Sequence, residues 1–211
     1  MMTQCKEIIV SWKELSHCRE RFGYHTMKAT GIVRRIDDLG RVVIPKEIRR
    51  TMRIREGDPL EIYTDREGEV IFKKYSPIGE LAAFAAQYAE TLHKTCSLSV
   101  VICDRDAVIA CAGLPKKEYN EQTLSAPLED IIARRAFYLH RAGEESVPVL
   151  ARESGEGGRY VRCAMPIISE GDIIGCVASV ASGDGEREIA EDVESKLIQT
   201  AALFLGRQLE S

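Results

Sequence analysis

The sequence has no long apolar run, few aromatic residues and few histidines. Of its 211 residues, 6% are aromatic, one is a tryptophan and four are histidines. No stretch approaches the roughly 20 consecutive apolar residues of a membrane-spanning helix, and the N-terminal region lacks the apolar core of a secretion signal. We therefore expect a cytoplasmic protein that has no membrane partner.

Cysteine motifs are also missing, although there are seven cysteines. None forms a Cys-x-x-Cys pair, and no histidine stands near one at the spacing of a zinc site. An odd number of cysteines without a secretion signal indicates reduced thiols. Four of them lie in apolar runs, where a thiol packs as a small hydrophobic side chain: Cys103, Cys111, Cys163 and Cys176. We expect no metal ion and no cofactor.

No arrangement of residues indicates catalysis. None of the four histidines has a nucleophile or a carboxylate at a catalytic spacing: His17, His25, His93 and His140. The glycine-rich segment 155–158 lacks the strand, lysine and helix that surround a phosphate-binding loop, and we predict a flexible loop there. The sequence therefore predicts no catalytic residues and no enzymatic activity.

What the sequence does contain is a local concentration of positive charge. The net charge is -4 at pH 7, yet residues 28–55 hold nine basic and three acidic residues. Residues 28–74 carry 12 basic and 9 acidic residues, whereas residues 75–211 carry 13 basic and 21 acidic ones. Because the two halves differ in the sign of their charge, we expect them to meet different partners. The acidic half is not expected to bind DNA.

The basic half alternates short apolar stretches with strong turn signals. Branched residues between arginines predict strands, Gly40 suits the turn between the first two, and Pro45 suits the start of a short helix. A hairpin follows, because two apolar stretches flank a polar turn. The predicted elements are strands at 31–36 and 41–44, a helix at 46–52, and strands at 59–64 and 69–74.

This half is too small to bury a core by itself. It has about 47 residues, and domains below roughly 60 residues are marginally stable. It must therefore take part of its core from elsewhere. The simplest source is a second copy of the same segment with interleaved strands, so we predict a homodimer. The rest of the chain is another possible source, and the sequence leaves it open.

Four stretches are the most informative: MKATGIVRR at 27–35, LGRVVIP at 39–45, EIRR at 47–50 and LEIY at 60–63. With these stretches the segment resembles the AbrB-type swapped-hairpin DNA-binding domain of bacterial transition-state regulators. The resemblance implies a DNA-binding domain over 27–76 that forms a dimeric β-barrel. It also implies DNA contacts from five arginines: Arg34, Arg35, Arg41, Arg49 and Arg50. We add Lys46 to this set, although it stands at a position where the nearest relatives vary.

The chemistry of these side chains agrees with that resemblance. Arginine forks suit phosphate oxygens and guanine edges, and most protein–DNA hydrogen bonds go to the backbone of the nucleic acid. The alternative is a solvated basic face balanced by the acidic residues after Gly57. The basic residues cluster in one half of the segment and the acidic residues in the other, which favours DNA binding. Without a long recognition helix, we expect DNA shape and deformability to matter for selectivity.

The second half alternates helices and strands in a different order. The predicted elements are a helix at 77–93, strands at 98–103 and 107–112, a helix at 127–141, a short strand at 146–150, strands at 159–168 and 173–181, and a helix at 186–209. This order, with MPII at 165–168 and GDIIG at 171–175, resembles a GAF-type sensor domain. The predicted fold class is therefore α+β, with an AbrB-type β-barrel dimer followed by a GAF-like domain over 77–211.

Both halves together resemble the AbrB-type regulators of spore-forming Firmicutes that carry a C-terminal GAF-like domain. The resemblance implies a sequence-selective transcriptional regulator that activates and represses sporulation genes in the forespore. Apolar stripes on the first and last helices of the second half predict a further contact that makes a homotetramer, or else cover one face of the sheet. The GAF-like half either binds a small-molecule effector that changes DNA affinity or serves only as an oligomerisation scaffold.

Three further points stay open in the sequence. AbrB-like domains also occur in antitoxins, although a folded second half of this size differs from a short toxin-binding tail. Some GAF-like domains reduce methionine sulfoxide with cysteines, and Cys103, Cys111 and Cys163 fall on predicted strands. Residues 1–26 fit neither domain, and the family pattern begins at Met27. We expect this extension to be disordered or to result from a misassigned start, with an amphipathic helix over 8–22 as the alternative.

Overall fold

The computed structural model describes residues 30–64, 66, 68–153, 158–182 and 189–210. The predictions for the extension 1–26, for most of the glycine-rich loop and for the first residues of the last predicted helix lie outside the described residues. The chain divides into two compact units, residues 1–57 and 58–211. Each unit has its own pattern of burial.

The first unit contains the predicted helix but not the predicted strands. Helix α1 covers Lys46–Thr51 and begins directly after Pro45. Residues 31–37 and 41–45 carry neither helix nor strand in the part of the chain that the structure describes. The prediction of two strands is therefore wrong for the single chain. A strand requires a hydrogen-bonded neighbour, and an alternating sequence pattern does not say which chain supplies that neighbour.

Apolar side chains of the first unit stay exposed. Helix α1 has no buried residue. Val33 and Leu39 are each 69% exposed and Val43 is 71% exposed. Other large apolar residues of the unit are also exposed: Ile32, Ile36, Val42 and Met52. The first unit thus has the apolar residues of a core but does not bury them within one chain.

The second unit begins with the predicted hairpin. Strand β1 covers Leu60–Thr64 and strand β2 covers Val70–Lys74, paired antiparallel with Leu60 opposite Lys74. A short helix α2 follows at Pro77–Glu80, and the longer helix α3 covers Ala82–Cys96. The predicted single helix over 77–93 is therefore broken at Leu81, whose φ of -91° and ψ of 17° lie outside the helical range.

A five-stranded antiparallel sheet forms the centre of the second unit. Its strands are β3 at Val100–Cys103, β4 at Val108–Ala112, β5 at Tyr138–Leu139, β6 at Arg159–Ser169 and β7 at Asp172–Ser182. The order across the sheet is β4-β3-β7-β6-β5. Both predicted hairpins are confirmed, because β3 pairs with β4 and β6 pairs with β7.

Two predictions between the hairpins are wrong. The helix predicted over 127–141 is only α5 at Ala126–Ala133, because Arg135 takes a left-handed φ of 57° and the chain then enters strand β5. The strand predicted over 146–150 is absent from the described residues; Leu150 makes only an isolated bridge with Leu124. A proline in that segment, Pro148, cannot donate to a strand ladder. A short helix, α4 at Lys116–Tyr119, was not predicted.

Helices cover both faces of the sheet. The last helix, α6, covers Glu191–Gln208 and packs with α3 on one face, in a cluster that contains Ala85, Ala89, Ile198 and Leu205. Helix α5 and the segment around Leu150 cover the other face. None of the helices in the described residues combines the length and the apolar content needed to span a bilayer. The mixed helix and sheet architecture that was predicted is confirmed.

One glycine sets a distance between two strands, and a second glycine and an ion pair join the last helix to the sheet. A Cβ atom on Gly175 of β7 would lie 2.1 Å from the Cys103 carbonyl oxygen, and one on Gly206 of α6 would lie 2.3 Å from the Ile168 carbonyl oxygen. Glu194 of α6 is 2% exposed and accepts from Arg162 of β6 at 3.2 Å. The helix and the sheet therefore approach closely at one end and share a buried ion pair at another.

Candidate nucleic-acid interface

The six basic residues predicted to contact DNA are all exposed on the first unit. Three of them lie in one turn and a half of helix α1, where residues three and four apart share a helix face. Lys46 therefore shares a face with Arg49 and Arg50. The other three flank the turn at 38–40: Arg34, Arg35 and Arg41. Three like charges on one helix face repel one another, and a polyanion relieves that repulsion.

A network of hydrogen bonds around Asp37 fixes the turn before Arg41. The Asp37 Oδ1 atom accepts from the backbone N–H of Leu39 at 3.0 Å and of Arg41 at 2.7 Å. The backbone adds bonds from Asp37 N–H to the Arg41 carbonyl at 3.1 Å and from Gly40 N–H to the Asp37 carbonyl at 3.0 Å. Gly40 has a φ of 77°, which a glycine adopts without steric cost.

The same carboxylate also binds the side chain of Arg41. The Arg41 Nε–H donates to Asp37 Oδ2 at 2.8 Å. The Arg41 backbone N–H, followed by the Arg41 side chain, lowers the pKa of Asp37 below its ordinary value. The Asp37 carboxylate is therefore ionised at neutral pH and holds Arg41 by both its backbone and its guanidinium.

A second group of charges lies where strand β2 ends. Lys74 contacts Asp106 in the β3–β4 turn and lies 3.3 Å from the Asp58 carboxylate. Arg105 of the same turn donates to Asp58 at 2.8 Å, and the Asp58 side chain is 1% exposed. We call these four residues the junction cluster. Sequence reasoning missed it; only the polar turn at 104–106 was visible, because its partners lie about 30 residues or more away in the chain.

Three buried cysteines of the sheet, Cys103, Cys111 and Cys163, have raised pKa values that keep their thiols protonated. A side-chain hydrogen bond with Cys176, together with burial, raises the pKa of Cys103 well above its ordinary value. Burial raises the pKa of Cys163 to about 12 and also raises the pKa of Cys111. Because the thiolate is the reactive form, these three residues are poorly suited to cysteine-based reductase chemistry.

Comparison with known proteins relates both parts of the chain to bacterial regulators. Residues 80–210 match the family described as stage V sporulation protein T C-terminal, transcription factor. The chain is 52% identical over 184 residues to stage V sporulation protein T of Bacillus subtilis (strain 168), covering 87% of this chain and 99% of that protein. The chain belongs to the stage V sporulation protein T family. It is a transcription factor with an AbrB-like DNA-binding domain.

The N-terminal part has further relatives. It is 65% identical over 100 residues to the transition state regulatory protein AbrB of Bacillus subtilis (strain 168), covering 47% of this chain and 88% of AbrB. Residues 33–79 match the family of the antidote-toxin recognition protein MazE, a bacterial antitoxin. The AbrB-type resemblance and the regulatory class predicted from the sequence are thus confirmed.

Solved structures similar to the chain fall into two groups. The solution structure of the AbrB N-domain is 63% identical, covers 25% of this chain and 98% of that one, and has a TM-score of 0.23. The GAF domain of the nutrient sensor CodY from Clostridium difficile is 16% identical, covers 59% of this chain and 83% of that one, and has a TM-score of 0.43. The chain is thus similar to an AbrB N-domain over about a quarter of its length and to a GAF domain over more than half of it.

Proposed function

We propose that this transcription factor binds duplex DNA through the six basic residues of its first unit and regulates sporulation genes from the cytoplasm of the forespore. The observation that carries the proposal is that all six side chains are exposed and lie within 17 residues of one another in the sequence. The chain as a whole has a negative net charge. A local basic surface on an acidic protein concentrates DNA affinity at one place. The boundaries 27–76 and 77–211 remain our proposed domains.

Single substitutions test the DNA contacts one residue at a time. We expect each of five variants, Arg34→Ala, Arg35→Ala, Arg41→Ala, Arg49→Ala and Arg50→Ala, to weaken DNA binding. Loss of a phosphate contact also reduces the slope of log K against log salt by about one. The exposed Arg134 lies at the end of α5 in the acidic half, so Arg134→Ala is the matched control. Five variants with the affinity and slope of Arg134→Ala would contradict the assignment.

The exposed apolar residues of the first unit support a homodimer. A second copy that pairs with residues 31–36 and 41–44 would bury Val33, Val43 and their neighbours and would give those segments a strand partner. Sedimentation analysis of the full chain and of Val43→Asp tests this contact. We expect the substitution to shift the protein toward smaller species, and an unchanged molecular mass would contradict the proposal.

Aromatic and apolar residues on α3 and α6 support a second contact, which makes a tetramer. The Tyr88 and Phe204 rings stack at 5.6 Å, Phe204 is 40% exposed, and Leu203 beside it is 61% exposed. Leu203→Glu should convert tetramers to dimers without unfolding, because the side chain is already exposed. Ala133→Glu, on the exposed end of α5 and on the other face of the sheet, is the control that should leave the mass unchanged.

The junction cluster supports transmission from the GAF-like domain to DNA binding. The contact between Lys74 and Asp106 joins the last residue of β2 to the turn that follows β3. Strand β3 lies between β4 and β7 in the sheet. An effector that favours one state of the sheet would change DNA affinity through this cluster if its affinity differs between the two states.

Two neutralising substitutions in the junction cluster test that transmission. We expect Arg105→Gln and Asp106→Asn each to weaken DNA binding by about fivefold, as coupled neighbours do when one is removed. Asp106→Asn is informative because it removes a negative charge, which by itself would tighten DNA binding. Arg134→Gln is the control for loss of a positive charge. If both cluster variants bind DNA with wild-type affinity, the result contradicts transmission through the cluster and favours a GAF-like domain that serves only as an oligomerisation scaffold.

The sign of regulation is part of the proposal. We propose that the protein activates some sporulation genes and represses others, as the resemblance implies. Reporter fusions to promoters that the protein binds, compared between the wild-type strain and a strain with Arg49→Ala, test both signs. Uniform loss or uniform gain of expression would contradict a dual regulator.

An antitoxin is the second candidate, and the match of residues 33–79 to the MazE family is the observation that favours it. An antitoxin neutralises a toxin, so deletion of its gene should arrest growth unless a neighbouring toxin gene is also removed. A deletion strain that grows normally before sporulation supports the regulator. Growth arrest that is relieved by removal of a neighbouring gene supports the antitoxin.

A further inference from the structure

We propose that Asp37 is a positioning residue for DNA binding, which holds Arg41 in the geometry that meets DNA. The proposal rests on the proposed DNA contact of Arg41 and adds an acidic residue to a surface whose other members are basic. Asp37 lies on one side of the turn and Arg41 lies on the other. Every bond between the two residues closes the same five-residue loop, residues 37–41. One carboxylate thereby controls where the arginine side chain leaves the backbone and where it points.

The backbone part of this control comes from Asp37 Oδ1. It accepts from Leu39 N–H at 3.0 Å and from Arg41 N–H at 2.7 Å, which is the side-chain turn that aspartate and asparagine form with the residues after them. An asparagine offers the same oxygen at this position. The backbone bonds of the turn can therefore form without the negative charge, although the charge strengthens them.

The side-chain part comes from Asp37 Oδ2. A guanidinium has five N–H donors, and the bond at 2.8 Å uses the one on Nε. This bond leaves the four donors on the two Nη atoms, and the Arg41 side chain is 69% exposed. That fork matches the two oxygens of a phosphate or the edge of a guanine. Holding the fork before DNA arrives lowers the conformational entropy lost on binding.

Simple electrostatics predicts the opposite effect for the same residue. A carboxylate beside a DNA contact repels the phosphates, so removing its charge should tighten binding. Positioning predicts that removing the charge loosens Arg41 and weakens binding. The two explanations therefore differ in the sign of one measured quantity, the change in DNA affinity.

The test uses Asp37→Asn in the full chain, with Asp38→Asn as a matched control. Asp38 is the next residue, is exposed and takes part in none of the bonds around Arg41. Both substitutions remove one negative charge from the same turn. At fixed salt we expect Asp37→Asn to weaken binding to duplex DNA by about tenfold, while Asp38→Asn leaves affinity equal or slightly higher. Equal or tighter binding by Asp37→Asn would overturn the proposal.

A double-variant cycle shows whether Asp37 acts through Arg41. The loss caused by Asp37→Asn should disappear when Arg41→Ala is already present. A loss of the same size in both backgrounds would overturn positioning, because Asp37 would then act without Arg41. Wild-type affinity of Arg41→Ala alone would instead show that Arg41 does not contact DNA, which contradicts the proposed function. Failure of the positioning role and failure of the proposed function therefore give different results.

Arg41→Lys gives a second test that leaves Asp37 and its backbone bonds in place. Lysine keeps the positive charge but has neither an Nε–H at that position nor a two-nitrogen fork. We expect about tenfold weaker DNA binding at an unchanged melting temperature. Wild-type affinity in this variant would overturn the proposal, since charge alone would then suffice.

Discussion

Single side chains of the first unit are held by bonds that depend on pH. The folded-state pKa of Asp37 is lowered, so its bonds stabilise the turn above the pKa of the unfolded chain, which is about 3.9 for aspartate. That stabilisation is lost as the pH falls through the lower, folded value. At neutral pH the Asp37 carboxylate is ionised and the stabilisation is fully present, so Arg41 is held by both of its bonds to Asp37.

Titration of the Asp37 carboxyl carbon by NMR checks this electrostatic link. In the wild type we expect a pKa below the ordinary aspartate value. Arg41→Ala removes the side-chain bond but retains the backbone N–H, which is the larger cause, so the pKa should rise by part of the shift only. Arg49→Ala, which leaves the turn intact, should not change it. An Asp37 pKa that is insensitive to Arg41→Ala would contradict the bond between the two side chains.

Gly175 is a single residue on which the spacing of two strands depends. An alanine Cβ there would lie 2.1 Å from the backbone oxygen of Cys103, which a side-chain rotation cannot relieve. We expect Gly175→Ala to lower the free energy of unfolding by about 3 kcal/mol. Gly171→Ala is the comparison, because that glycine has open space and a left-handed φ of 87°, so its cost is about 1 kcal/mol. Urea unfolding followed by circular dichroism measures both, and equal losses would contradict the steric explanation.

At the scale of elements, helix α6 contains a glycine, Gly206, although glycine has a low helix propensity. Replacing a helical glycine by alanine normally stabilises a helix by about 1 kcal/mol. Gly206 is buried, and an added Cβ would lie 2.3 Å from the Ile168 carbonyl oxygen, so the helix would have to move away from β6.

Substitution of Gly206 should therefore reverse the usual sign. We expect Gly206→Ala to destabilise the protein by about 2 kcal/mol, measured as the shift of the urea midpoint. Thr200→Ala also raises helix propensity in α6, and Thr200 is exposed, so this control should be neutral or slightly stabilising. A Gly206→Ala variant as stable as Thr200→Ala would mean that α6 does not approach β6 as closely as the structure has it.

Elements whose signals are local could be predicted from the sequence. The hairpins β3–β4 and β6–β7 were predicted to within two residues, because alternating apolar residues and a polar turn stand next to each other in the chain. The short strand β5 could not be predicted, since Tyr138 and Leu139 are a strand only by pairing with Ala164 and Cys163 of β6. The strands predicted over 31–36 and 41–44 likewise require a hydrogen-bonded neighbouring strand, and the sequence pattern does not indicate which segment supplies it.

The basic residues of the candidate interface were equally accessible to sequence reasoning, because charge can be counted and the AbrB-type motif is continuous. The contacts that organise them were less accessible. The Asp37–Arg41 bond follows from local turn chemistry but was not predicted. The junction cluster joins Lys74 to Asp106 across 32 residues, and nothing in the sequence near either residue indicates the other.

For the whole molecule, the distribution of charge and apolar surface determines what each half does. The acidic second half has a continuous core on both faces of its sheet. The basic first unit exposes the six basic residues of the candidate interface and several large apolar residues, among them Val33, Leu39 and Val43. An assembly of several chains would cover the apolar residues and place several basic surfaces on one DNA molecule, which raises affinity through effective concentration.

The most direct test of this account is the salt dependence of DNA binding by the full chain. Six phosphate contacts contribute about -0.9 each to the slope of log K against log salt, so we predict a slope of about -5 or steeper on a duplex that the protein binds. A slope near zero would mean that the protein, with its net charge of -4, releases no counterions through its basic segment. That result would contradict the central claim that this segment is the DNA-binding surface.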